Sequence, residues 1–193
     1  MNEGHLRFLA STEWAQMLEA DLLPWILGAA DLGDDVLEVG PGPGLTTDLL
    51  RQRTAKLTAV EVDAELAAAL AARLSGTNVE VVHGDAIDAG LSADRFSAAA
   101  CFSTLHHIPS SDRQDRLFAE LCRVLRPDGA LICADAVDKE VIRQGHVDDV
   151  FVPVDPETLG ARLEAAGFTN VCIDVGEYQM RFSATKPGTS TGS

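Results

Sequence analysis

Residues 36–44 read Val-Leu-Glu-Val-Gly-Pro-Gly-Pro-Gly. An apolar run stops in a turn where Gly40, Gly42 and Gly44 alternate with Pro41 and Pro43, just ahead of a helix-like segment. The next apolar run ends in Glu61, about twenty residues further on. A strand, a glycine-rich turn and an acid at the tip of the following strand are the parts with which an α/β sheet holds a nucleoside. Glycine lets backbone approach the ligand, and a carboxylate accepts from both ribose hydroxyls. The spacing is G-x-G-x-G, and Leu45 stands where a dinucleotide fold would have its third glycine. The two prolines fix φ and remove two N–H donors, so the turn is a poor cradle for pyrophosphate. It suits an uncharged or zwitterionic ligand. Glu61 would repel a 2′-phosphate, which argues against NADP.

The segment Glu38-Val39-Gly40-Pro41-Gly42-Pro43-Gly44 resembles the first motif of the class I S-adenosylmethionine-dependent methyltransferases. Further resemblances follow in order: Val60-Glu61-Val62-Asp63, His83-Gly84-Asp85-Ala86, and Cys101 to Ile108 after a fourth strand. Leu125-Arg126-Pro127-Asp128-Gly129-Ala130-Leu131 is similar to the turn into the fifth strand, and Leu163 to Phe168 to the helix end before the sixth. The resemblance spans roughly residues 30–186.

The resemblance implies a site for S-adenosylmethionine, with S-adenosylhomocysteine as product. Glu61 would take the ribose, and Asp85 the adenine amino group. The Ala86 N–H would reach a ring nitrogen, and Val62 would face the ring. Backbone at Gly40, Pro41 and Gly42 would approach the methionine zwitterion, and Glu38 its ammonium. Phe102 and Ser103 would lie beside the sulfonium and methyl. Asp63 precedes a strong helix and reads as its N-cap. Methyl transfer is an in-line displacement from an activated sulfur, so alignment can supply much of the rate and no base is obligatory. If a base is used, His107 is preferred to His106, since adjacent extended residues point opposite ways. Asp135, just past the fifth strand, is a further candidate for binding or orienting the acceptor. His146, Asp148 and Asp149 are too loosely spaced to form a metal set, and none is expected.

These residues need a scaffold. Apolar positions at helical spacing over 11–30 (Trp14, Met17, Leu18, Leu22, then Trp25, Ile26 and Ala29 beyond Pro24) predict one or two helices capping the sheet. From residue 35 strands and helices alternate. Strands are predicted at 36–39, 57–60, 79–83, 96–102 and 130–134, helices at 45–53, 64–74, 112–125 and 156–166, and a closing hairpin at 171–175 and 178–184. The pattern argues an α/β, Rossmann-like three-layer α/β/α sandwich. Its seven-stranded sheet is mostly parallel, with an antiparallel last strand as in the family. One methyltransferase domain over 1–186, with 1–30 as helical cap, and a disordered tail at 187–193 are expected.

Composition narrows the function. The 193 residues carry 30 acids against 15 bases, a net charge of −15. That opposes a hold on nucleic-acid phosphates or anionic lipid. No apolar run could span a bilayer, and the N-terminus lacks a basic stretch before an apolar core. A cytoplasmic protein, monomeric or homodimeric, is expected. Cys101, Cys122, Cys133 and Cys172 form no C-x-x-C pair and read as buried free thiols. No Asn-Pro-Pro-Tyr or Asp-Pro-Pro-Tyr segment follows the fourth strand, which weighs against amide or base nitrogens as acceptors. The expected activity is methyl transfer to a small molecule at oxygen, nitrogen or carbon. The alternatives are a non-catalytic S-adenosylmethionine sensor or scaffold, a phospholipid amine methyltransferase, a nucleotide-dependent oxidoreductase and an aminopropyl transferase.

Overall fold

The structure, a computed structural model, describes Arg7 and residues 11–189. The other residues of the first ten, part of the expected cap, and the expected tail beyond 189 lie outside the described residues. Helix α1 (Thr12–Met17) leads through a π-helical segment (Leu18–Leu22) into α2 (Leu23–Ala29). There follow β1 (Asp35–Val39), α3 (Leu45–Leu50), β2 (Lys56–Glu61), α4 (Ala64–Arg73), β3 (Val79–His83) and β4 (Phe96–Phe102). A 3₁₀ turn (Leu105–His107), α5 (Ser111–Val124), β5 (Leu125–Ala136), α6 (Glu140–Gly145), α7 (Pro156–Ala165), β6 (Thr169–Val175) and β7 (Gln179–Thr185) complete the chain.

The sheet runs β3-β2-β1-β4-β5-β7-β6. β1 pairs in parallel with β2 and β4, β2 with β3 and β4 with β5, whereas β7 is antiparallel to both β5 and β6. This is the expected Rossmann-like order with one reversed strand. Because β1 and β4 lie side by side while the chain leaves them in opposite lateral directions, their carboxyl ends flank the crevice where such sheets bind ligands.

Side-chain alternation explains why both faces are covered. Leu37 and Val39 point into a core built with Leu117, Phe118 and Leu121 of α5 and Leu159 and Leu163 of α7. Val36 points the other way, into a core with Trp14, Leu18, Leu22, Ile26 and Leu50 from α1 to α3. Ala98, Ala99 and Ala100 of β4 are fully buried, as a central parallel strand covered on both faces requires. Ala59 packs with Leu70 and Leu74 at α4.

The structure departs from the sequence pattern at several points. Pro24 cannot donate inside a helix, and the turn before it widens to π geometry, with the Leu23 N–H bonded to the Leu18 carbonyl. The cap is thus one bent helical run. Helix α5 ends at Val124 without a connecting loop, and β5 starts at Leu125, five residues ahead of the expected Ala130. The Pro127–Gly129 segment is absorbed as a register shift between the Phe96↔Leu125 and Ala98↔Ala130 pairs, with Asp128 at φ 64°. Cys172 is exposed, not buried, because β6 is the sheet edge.

Asp63 is the N-cap of α4: its carboxylate accepts from the Glu65 and Leu66 N–H groups at 2.9 and 3.1 Å. Asp63→Ala should therefore lower stability by about 1 kcal/mol, read from urea midpoints at constant m-value.

Candidate active site

The loop after β1 is shaped by its neighbours. Gly40 has φ 68°, and a Cβ there would come within 2.4 Å of Thr104, so the position requires glycine twice over. At Gly42, φ is 54° but a Cβ would meet no protein atom within 4 Å, so the backbone there is bare on one side. The Gly42 N–H donates to Glu61 Oε2 at 2.9 Å, and the Asp63 N–H to Glu61 Oε1 at 3.0 Å. A carboxylate has about four acceptor positions, so Glu61, buried at the tip of β2, is held in place with capacity for two more donors. That is the number a ribose diol offers.

Glu38 lies one residue before Val39 on the opposite face to Leu37 and is 1% exposed. It accepts from the Thr47 hydroxyl at 2.7 Å and from the Thr46 hydroxyl, both in the first turn of α3. Burial pushes its carboxyl from 4.5 up to about 7 despite those two donors. Glu38 thus anchors the loop to the helix, and the loop rather than Glu38 faces outward.

Beyond β2 and β3 a cavity of about 360 Å³ is walled by Val60, Val62, Gly84, Ala86, Ile87 and Ile108. Asp85 stands in it with its Oδ1 accepting from the Ile87 N–H at 3.0 Å and its Oδ2 paired with Arg113. Arg113, at the start of α5, also lines the cavity and had no signal in the sequence. Any donor approaching Asp85 must share it with that guanidinium.

At the ends of β4 and β5, Asp135 is fully buried. Its carboxylate accepts from the Thr104, Leu105 and Ala136 N–H groups and from His106 Nδ1, at 3.1, 2.7, 2.8 and 2.6 Å. All its capacity is used within the protein, so Asp135 cannot touch an acceptor as the sequence suggested. It positions the turn after β4 and the His106 ring. Within that turn Ser103 adopts φ 51°, uncommon for a non-glycine residue and a place where strain tends to collect at functional sites.

A cavity of about 910 Å³ opens beside this turn, lined by Trp14, Met17, Ser103, His106, Ile142 and Tyr178 among others. A narrow cleft between Trp14 and the 40–46 loop adjoins it, and Trp14 and Ser103 line both. Gly40, Pro41, Gly42 and Phe102 line the cleft as well. Of the two candidate bases, His106 borders the large cavity and His107 the 360 Å³ one. The 3₁₀ turn at 105–107 replaces the extended geometry assumed for the pair. His146, at the end of α6, also reaches the large cavity, while Asp149 accepts from the Val150 N–H at 2.8 Å and stands 3.8 Å from His107 Nδ1. Thr104 and Arg113 are among the site residues that the sequence did not single out.

The model of the family described as "Methyltransferase domain" matches residues 37–133, just over half of the chain. The chain belongs to that family, whose class I members use S-adenosylmethionine. Ribosomal RNA small subunit methyltransferase A of Deinococcus radiodurans is 46% identical over 61 residues, 32% of this chain and 21% of that protein. The chain therefore spans about a fifth of that relative's length. A SAM-dependent methyltransferase from Aquifex aeolicus superposes with TM-score 0.74 at 21% identity, covering 96% of this chain and 99% of its own. Haemonchus contortus phospholethanolamine N-methyltransferase 2, in complex with phosphomonomethylethanolamine and S-adenosylhomocysteine, gives 0.71 at 13%, covering 90% of this chain and 56% of its own.

In this methyltransferase-family chain the raised Glu38 carboxyl has a thermodynamic consequence. The folded protein keeps a proton that the unfolded chain releases between pH 4.5 and about 7. That contribution to stability is present below pH 4.5 and is lost as pH rises to 7. Glu38→Gln should remove the loss. At pH 8 the variant should be the more stable by up to about 3 kcal/mol, and the gap should narrow at pH 5.5, measured by denaturant titration at both values.

Proposed function

We propose that the protein transfers a methyl group from S-adenosylmethionine to a small-molecule acceptor held in the 910 Å³ cavity. The observation that carries this reading is the sharing of Trp14 and Ser103 between that cavity and the cleft over the glycine loop. A ligand in the cleft and one in the cavity would meet at those two residues.

In this reading Glu61 receives the ribose hydroxyls. Val62, Asp85 and Ala86 receive the adenine. Bare backbone at Gly40, Pro41 and Gly42 receives the amino-acid end, and Glu38 supports that loop from beneath. Phe102 and Ser103 flank the reacting end. The residues fit the cofactor because the loop gives up side chains where a zwitterion needs close approach, and because Glu61 is oriented with acceptor capacity in hand. When bound, S-adenosylmethionine supplies a methyl on positively charged sulfur. The chain's own contribution is alignment, together with exclusion of water by Trp14 and the capping helix. Of the candidate bases, His106 is favoured, with its ring set by Asp135; His107 is the second choice, and Asp135 acts only by positioning. A neutral or cationic acceptor is favoured over an anion, since Asp21, Asp174 and Glu177 outnumber Arg181 around the cavity, and Arg181 is paired with Asp21.

The ribosomal RNA methyltransferase names among the relatives favour a second reading, with RNA as substrate. The net charge of −15 speaks against it, because an RNA duplex or loop is held chiefly through its phosphates. Among the described residues no helix is long and apolar enough to cross a membrane.

Glu61→Ala tests the cofactor role. It should weaken S-adenosylhomocysteine binding by roughly 1.5–3 kcal/mol through lost charge-assisted hydrogen bonds, measured by calorimetry. Unchanged affinity would remove Glu61 from the site. Labelled S-adenosylmethionine with a metabolite extract, run beside total RNA, separates the two substrate classes: label is expected in the small-molecule fraction.

A further inference from the structure

We infer that His106, His107 and His146 form a three-imidazole site for a divalent transition cation, zinc by chemistry, in the wall of the acceptor cavity. One ligand nitrogen from each ring lies within 4.8 Å of the other two. The ring centroids are 4.2 Å apart for His106 and His107, 4.9 Å for His106 and His146, and 5.4 Å for His107 and His146.

What turns this cluster into a ligand set is the other nitrogen of each ring. His107 Nδ1 faces the Val150 carbonyl at 3.1 Å, and His146 Nδ1 faces the Ile142 carbonyl at 2.7 Å. A carbonyl oxygen can only accept, so both Nδ1 atoms carry the proton. His106 Nδ1 faces Asp135 Oδ1 at 2.6 Å, and that carboxylate already collects three backbone N–H groups, which keeps it an acceptor. A neutral imidazole protonated at Nδ1 presents its lone pair at Nε2. Three lone pairs are thus set in one place by three separate outer contacts, one of them the carboxylate–histidine pairing that orients metal ligands. Plain aromatic packing, with Phe151 against His106 and His146 at 5.5 and 4.6 Å, explains proximity. It does not explain why every Nδ1 is committed to an acceptor.

Zn–N bonds of about 2.0–2.1 Å in a tetrahedron put the nitrogens about 3.4 Å apart, so binding would draw the rings together by up to about 1.4 Å. The supports are suited to that movement: a three-residue 3₁₀ turn for His106 and His107, and the end of the short helix α6 for His146. Among the described residues three ligands are offered, which leaves a fourth position for a small molecule, the pattern of a catalytic rather than a structural zinc. His106 and His146 both line the acceptor cavity. The open position would take an oxygen or nitrogen of the acceptor and ease loss of its proton. That use rests on the transferase reading; binding of the cation does not. With Nε2 on the cation, His106 holds the metal rather than taking the proton itself.

The experiment is a Co²⁺ titration of tag-free, chelator-stripped protein, followed by its visible absorption, with Zn²⁺ as competitor. One equivalent of Co²⁺ should bind with d–d bands of low coordination number, and Zn²⁺ should abolish them. Loss of an outer contact alone costs 10–100-fold, so His146→Ala should weaken cobalt binding by about 100-fold or more while its circular dichroism stays unchanged. His107→Ala serves as a second variant. Absence of one-equivalent uptake, or wild-type cobalt affinity in a folded His146→Ala, would overturn the site. S-adenosylhomocysteine titrated into the stripped protein reads the cofactor cleft separately. Cobalt binding without nucleoside binding would uphold the metal site and sink the transferase reading instead.

Discussion

A carboxylate buried at a strand end must find hydrogen-bond donors, and that requirement shapes the whole upper rim of this sheet. Glu38, Glu61 and Asp135 are 1%, 5% and 0% exposed. Each recruits donors from a different segment: Glu38 the first turn of α3, Glu61 the glycine loop and the entry to α4, Asp135 the turn after β4. The loops that would meet a ligand are therefore fixed from beneath by hydrogen bonds to buried carboxyl groups. Removing Glu61 or Asp135 would orphan backbone N–H groups, and removing Glu38 would orphan two threonine hydroxyls.

The three anchors differ in what they leave over. Glu38 carries a raised pKa because burial outweighs its two threonine donors. Asp135 is filled by four donors and turns the His106 ring toward the acceptor cavity. Glu61 combines a fixed orientation with unused acceptor capacity at the mouth of the crevice. Hence one kind of group, a carboxyl at three strand ends, gives a loop support, a ring positioner and a candidate ligand contact.

Much of this was legible in the chain because it depends on local order. The β1 apolar run, the glycine spacing and the position of Glu61 are consecutive features, and the family resemblance followed them. The Asp63 cap was readable because helix propensity begins right after it. Other features depend on tertiary pairing. Leu125–Gly129 read as the turn into the fifth strand and became strand, because β4 pairs with Leu125 and the Lys186 backbone exchanges hydrogen bonds with Asp128 and Gly129. His106 and His107 read as diverging residues, but a 3₁₀ turn brought both rings to one cluster with His146, distant in sequence. Arg113, at the start of α5, meets Asp85 just beyond β3 across 28 positions of sequence. No spacing rule connects those positions.

The proposed site lays a nucleoside cofactor across the carboxyl ends of β1 and β2 with its sugar on one carboxylate. A crystal structure of the protein with S-adenosylhomocysteine is the decisive measurement. Both ribose hydroxyls should lie within hydrogen-bond distance of Glu61, about 2.5–3.0 Å, and the amino-acid end against Gly40 and Gly42. A ligand bound elsewhere, with Glu61 still engaged only by the Gly42 and Asp63 N–H groups, would contradict it.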